Sequence, residues 1–163
     1  MSEARKSFGQ TVLGWWQVNI GARDSAQARA LAARLRRAGP VESLSERAVH
    51  ELARALEVQP AKADRLARMV RILAELREHD SATLAQRLGG GVLSDLRFQR
   101  LMRADGDERD ALLRRAISIA DRRGNVAALA NDIWVWDDSV RTRWCFHYFG
   151  ADAPSEDFKE TTQ

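Results

Sequence analysis

Arg97, Arg100 and Arg103 recur every third residue in the stretch Arg97-Phe98-Gln99-Arg100-Leu101-Met102-Arg103-Ala104-Asp105. At about 100° per residue, a helix here lines the three guanidinium groups along one side and turns Phe98, Leu101 and Met102 roughly the opposite way. Arginine carries a planar fork of N–H donors that matches phosphate oxygens and stacks on bases. A row of such forks backed by an apolar stripe suits the holding of a polyanion. The polarity recurs between residues 107 and 123, where Leu112, Leu113, Ala116, Ile117 and Ala120 cluster within roughly 140° of arc. Arg114, Arg115, Ser118 and Arg122 lie on the far side. Packed side by side through their stripes, the two helices would join their arginines into one basic face. The plainer alternative is a solvated surface in which Asp105, Glu108 and Asp121 neutralise them.

Other residue types that could do chemistry do not assemble. Cys145 and His147 stand two apart and diverge on a helix, and His50 and His79 lack ligand-like companions. Asp105-Gly106-Asp107-Glu108-Arg109-Asp110 begins like a calcium loop, but Arg109 takes a ligand position and the internal glycine is missing. Gly89-Gly90-Gly91 lacks the Lys-Ser/Thr of a phosphate loop. Asp137 and Asp138 are adjacent at a helix end, where capping is their natural role. With no nucleophile, base and oxyanion donor in sight, the expectation is a protein without catalysis or cofactor. The five tryptophans, Trp15, Trp16, Trp134, Trp136 and Trp144, fall among other apolar residues and are expected in the core rather than on a base-stacking platform.

The bulk properties agree with a globular body. A chain of 163 residues with 45% hydrophobic and 30% charged side chains can bury roughly 70% of its unfolded surface. No apolar run is long enough to span a bilayer and no signal-peptide core is present. The single Cys145 excludes an internal disulfide and suits a reducing, cytoplasmic setting. The net charge is +3, and of the 26 basic residues only Lys6, Lys62 and Lys159 are lysines. Residues 151–163 hold four carboxylates against one lysine, so the positive excess lies in residues 1–150.

Nearly every segment reads as helix, and the expected fold is all-α. Helices are expected near 8–20, 24–38 (ended by Gly39-Pro40), about 46–57, and from Pro60 to about 79. A short one capped by Ser81 follows, ending at Gly89-Gly90-Gly91. Beyond that run come helices near 93–104, 107–123, 126–137 and 139–149, the last two capped by Asn125 and Ser139. The triple glycine is the expected hinge between an N-terminal lobe (1–88) and a C-terminal lobe (92–150), with 151–163 an acidic, disordered tail.

Five stretches in this order resemble the CasB family, the small subunit of the type I-E CRISPR surveillance complex Cascade. They are Leu13-Gly14-Trp15-Trp16-Gln17, Leu35-Arg36-Arg37-Ala38, the Arg97–Asp105 stretch, Leu112-Leu113-Arg114-Arg115-Ala116, and Leu129-Ala130-Asn131-Asp132-Ile133 leading to Trp136 and Arg141–Gly150. The resemblance spans about residues 8–151. It implies a non-enzymatic subunit of two helical bundles, present as a pair of copies beside other Cascade subunits and guide RNA. It also implies a basic surface that holds the DNA strand displaced when the guide pairs with its target. On this resemblance Arg36, Arg37, Arg97, Arg114 and Arg115 occupy matching basic positions. Helix geometry adds Arg100, Arg103, Arg122 and Arg141. R-loop formation is nearly balanced in base-pairing energy, so backbone contacts can tip it. The rival reading is a helical scaffold whose arginines are spent in ion pairs. A helix-turn-helix regulator built on Ser81–Arg103 would need an unusually long, glycine-filled turn.

Overall fold

A computed structural model describes residues 7–150. They fold into ten α-helices and one 3-10 turn: α1 (Phe8–Asn19), α2 (Ala26–Arg37), α3 (Pro40–Leu44), α4 (Arg47–Leu56), the turn Pro60–Lys62, α5 (Ala63–Leu73), α6 (Leu84–Leu88), α7 (Asp95–Arg103), α8 (Gly106–Ile119), α9 (Val126–Val135) and α10 (Asp138–Gly150). The all-α expectation holds, with one small addition. Strands β1 (Glu78–His79) and β2 (Arg123–Gly124) pair in parallel, Glu78 opposite Arg123 and His79 opposite Gly124.

Capping side chains set most helix starts. The hydroxyls of Ser7, Ser25, Thr83 and Ser94 and the amide oxygen of Asn125 each accept a backbone N–H three residues on. Asp137, not Ser139, caps α10, its Oδ1 accepting from the Val140 N–H at 3.1 Å and the Ser139 hydroxyl at 2.7 Å. Thr83, not Ser81, caps α6. The Gln86 side chain returns a bond from the Thr83 N–H at 2.8 Å, completing a capping box. α2 ends at Arg37, just before Gly39-Pro40, and Pro40 also opens the short α3, whose Glu42 accepts the Gly39 N–H at 2.7 Å.

The core centres on α5, where Leu66, Met69, Val70 and Leu73 are buried. α1 packs against α9 and α4, α5 against α9, and α6 against α10. One contiguous apolar cluster runs from Val12 through Leu73 to Leu129 and Tyr148. The glycine run turns the chain between α6 and α7, with Gly90 and Gly91 at φ 65° and 92°, a region closed to most side chains. Packing continues across it, since α1 and α5 both meet α9. Residues 151–163, read as an acidic tail, lie outside the described residues.

The tryptophans are structural. The Nε1–H groups of Trp15 and Trp16 donate to the carbonyls of Ala48 (2.9 Å) and Leu73 (3.0 Å). Trp134 packs on Phe8 at 5.0 Å between ring centres, and Trp136 meets Trp144 edge-on at 5.1 Å. These indoles join distant segments and leave no stacking platform of their own.

Candidate nucleic-acid interface

The structure sorts the nine sequence-derived arginines into two groups. Arg97, Arg100, Arg103, Arg115 and Arg37 are exposed. α7 buries Phe98 and Leu101, which forces its arginine side outward, as the spacing predicts. α8 buries Leu113, Ala116 and Ile117 and leaves Arg115 outside. Between the two helices runs a groove of about 320 Å³, with Leu93, Leu101, Leu112 and Ile119 among its walls and Arg97, Arg100 and Arg115 around it. Arg97, Arg100 and Arg103 also border a second depression, together with Leu96, Ala104 and Glu108.

The charge of these groups is barely neutralised. Arg100 approaches Glu108 at 3.4 Å, but the two side chains are 68% and 56% exposed, so solvent screens the pair and it holds Arg100 weakly. Arg103 and Arg37 donate only to carbonyls of their own helices, at Gln99 (3.4 Å) and Ala33 (3.3 Å). The guanidinium groups of Arg97 and Arg115 have no bonding partner among the described residues.

The other four arginines face inward. Arg122 Nη1 lies 2.7 Å from Glu75 Oε1 and donates to the Glu75 carbonyl at 3.2 Å. Arg114 lies 3.6 Å from the same carboxylate and donates to the Arg36 carbonyl at 2.8 Å. Arg36 donates to the Ala74 carbonyl at 3.3 Å. Burial lowers the pKa of Arg36 and of Arg114, the Glu75 charge opposing the shift in each case. Both remain cationic at neutral pH, since arginine starts far above it. Arg141 bridges Asp105 (2.9 Å) and Asp138 (3.1 Å).

Arg122 departs from its expected place for a local reason. α8 ends at Ile119, and Asp121 and Arg122 follow with φ of 60° and 57°. That pair of left-handed residues reverses the chain into β2 and swings Arg122 off the helix face toward α5. Sequence reading also passed over Glu75, because its neighbours Ala74 and Leu76 suggest only a helix end. Asp132, quoted only within a stretch that carries the family resemblance, was given no role of its own. It is 4% exposed and accepts from Trp144 Nε1 and Arg143 Nη1, each at 2.8 Å. Among the described residues no three His, Cys, Asp or Glu side chains converge as metal ligands. No helix there is long and apolar enough to cross a membrane.

Residues 31–149 match the family model for the CRISPR-associated protein Cse2. The chain belongs to the Cse2 family. The span takes in α3 through α10 and the whole α7–α8 groove. The Cse2 fold is also seen in the crystal structure of CasB from Thermus thermophilus, with a TM-score of 0.71 and 22% identity, covering 90% of this chain and 100% of that one. A chain in the crystal structure of E. coli Cascade bound to a PAM-containing dsDNA target matches with a TM-score of 0.60 and 20% identity, covering 86% and 91%. Among curated proteins no sequence matches this chain. At these identities the two structures speak for the helical fold, which agrees with the family resemblance read from the sequence.

Proposed function

We propose that this Cse2-family chain is the non-catalytic small subunit of a Cascade-type complex and that its exposed arginines hold nucleic-acid backbone. Its partners on this reading are the other Cascade subunits, guide RNA and target DNA, with a pair of copies in the complex. The observation that carries the reading is the α7–α8 groove. Arg97, Arg100 and Arg115 surround one channel, and Glu108 is the sole carboxylate bonded to any of them among the described residues. The displaced DNA strand is the ligand of choice: a single strand offers phosphates without a duplex's rigid spacing, and electrostatic contacts tolerate any sequence. Arg103 and Arg37 add charge to the exposed set. Arg114, Arg122 and Arg141 act chiefly by fixing the helices that present it.

The test is the salt dependence of single-strand binding. If about six phosphates are engaged, log K should fall against log salt with a slope of about −4. A slope near zero for fluorescent single strands would remove nucleic acid from the proposal. What remained would be the scaffold reading, which the outward-facing Leu96 and Phe146, 74% and 73% exposed, favour as protein-docking points.

A further inference from the structure

We infer that Arg23, Arg29, Arg36 and Arg77 form a second phosphate cradle, distinct from the α7–α8 groove, that takes one phosphodiester of a nucleic-acid strand. The inference rests on the nucleic-acid reading above and extends it to three arginines, Arg23, Arg29 and Arg77, that neither helix periodicity nor family resemblance singled out.

The four side chains line a cavity of about 200 Å³ whose walls include Ile20 and Leu76 and no carboxylate. They come from three separate places: the α1–α2 loop (Arg23), α2 (Arg29 and Arg36) and the segment between α5 and β1 (Arg77). Nothing in local sequence requires such a meeting. Like charges brought together in a partly desolvated recess repel, and the arrangement is costly unless an anion completes it.

The protein does not supply that anion. Glu75 is the carboxylate felt most by Arg36, but it is already bonded to Arg122 at 2.7 Å and lies 3.6 Å from Arg114. One negative charge therefore answers three arginines before Arg77 is counted. Arg77 and Arg23 are exposed, and their guanidinium groups have no bonding partner among the described residues. Arg29 spends one N–H on the Arg23 carbonyl, which ties the α1–α2 loop to α2 and leaves its other donors available. The recess thus presents several forks to one small, tetrahedral, negatively charged group. Its apolar wall suits the sugar beside a backbone phosphate better than a free ion. Arg114, which donates to the Arg36 carbonyl, and Arg115 are neighbours on α8, so the cradle and the groove are joined through that helix.

The experiment compares single-stranded DNA binding, by fluorescence anisotropy over a salt series, for the full chain, four double variants and one quadruple variant. Arg23→Ala with Arg77→Ala removes the two unpartnered forks. It should weaken binding about five-fold at 0.1 M salt and flatten the log–log slope by about 0.7, one phosphate's worth. Arg47→Ala with Arg54→Ala removes the same charge from exposed positions of α4 and should change affinity less than two-fold. The cradle is refuted if the first pair behaves like the second. Arg97→Ala with Arg115→Ala tests the groove independently. Adding the cradle pair in that background separates failure of one site from failure of the other. Arg23→Lys with Arg77→Lys keeps the charge and should hold the slope near the starting value. Unchanged DNA binding together with lost co-purification of complex partners would assign the cradle to an acidic protein surface and overturn the inference.

Discussion

Glu75 Oε1 receives Arg122 Nη1 at 2.7 Å across 47 residues of sequence. The Glu75 side chain is 12% exposed and its carboxylate also lies 3.6 Å from Arg114, so one buried anion locks the turn after α5 to α8 and to the left-handed turn that follows α8. Removing one partner of a buried ion pair leaves the other's charge without compensation. Glu75→Ala should lower unfolding stability by about 3 kcal/mol, read as an earlier urea midpoint at constant m-value. Arg97→Ala, on the exposed ridge, should move that midpoint by less than about 0.5 kcal/mol.

Asp132 plays a comparable part between α9 and α10. It accepts from the buried Trp144 indole and from Arg143. Asp132→Ala strands an indole N–H in the core and removes a charge-assisted bond, with a combined cost of about 3 kcal/mol. A red-shifted tryptophan emission in the variant should accompany the loss.

Two glycines of α1 make opposite predictions. A Cβ at Gly9 would sit 2.6 Å from the Ala127 carbonyl oxygen and 2.7 Å from Asn131 Nδ2, at the α1–α9 contact. Because the obstacle includes backbone, Gly9→Ala should destabilise by about 2 kcal/mol. Gly14 is also helical, and a Cβ there meets nothing within 4 Å. Gly14→Ala should therefore stabilise by about 0.5–1 kcal/mol. A lowered melting temperature for both variants would show that the close α1–α9 approach is not the deciding factor.

The pH response should show an acid edge at the start of α10. The Ser139 hydroxyl and then the Val140 N–H hold the Asp137 pKa below its usual value. A carboxylate with a depressed folded pKa contributes fully above the ordinary aspartate value of about 3.9. That contribution is lost as pH falls through the folded value. Asp80 follows the same sign: the Ala82 N–H leads, and Arg87 and Arg123 add to the lowering. Thermal melts from pH 6 to pH 2 should lose stability below about pH 4, and Asp137→Asn should flatten that decline. An unchanged acid slope in the variant would remove Asp137 from the account.

How much of this was legible in the chain depended on the range of the interaction. The division of α7 into a buried Phe98–Leu101 side and an arginine side follows from three-residue spacing. Asn125 was recognisable as a cap because it acts within three residues. The Thr83–Gln86 capping box carried an equally local signal, and attention to Ser81 hid it. Arg122 could not have been placed from spacing. Its direction is set by two consecutive positive φ angles and by a carboxylate in the turn that follows α5. The same holds for Arg114, which helix geometry puts on the outer side and Glu75 draws inward.

α10 touches α7 near both of its ends. The Tyr148 hydroxyl bonds Asp95 at 2.9 Å as well as the Leu93 carbonyl, while Arg141 reaches Asp105 at 2.9 Å just past the last turn. A segment of only nine residues would fray if left to itself. Braced in this way, its backbone loses its freedom during folding. On the proposed function, capture of a strand along Arg97, Arg100 and Arg103 would then have only side-chain rotamers left to freeze, which favours slow release from the ridge.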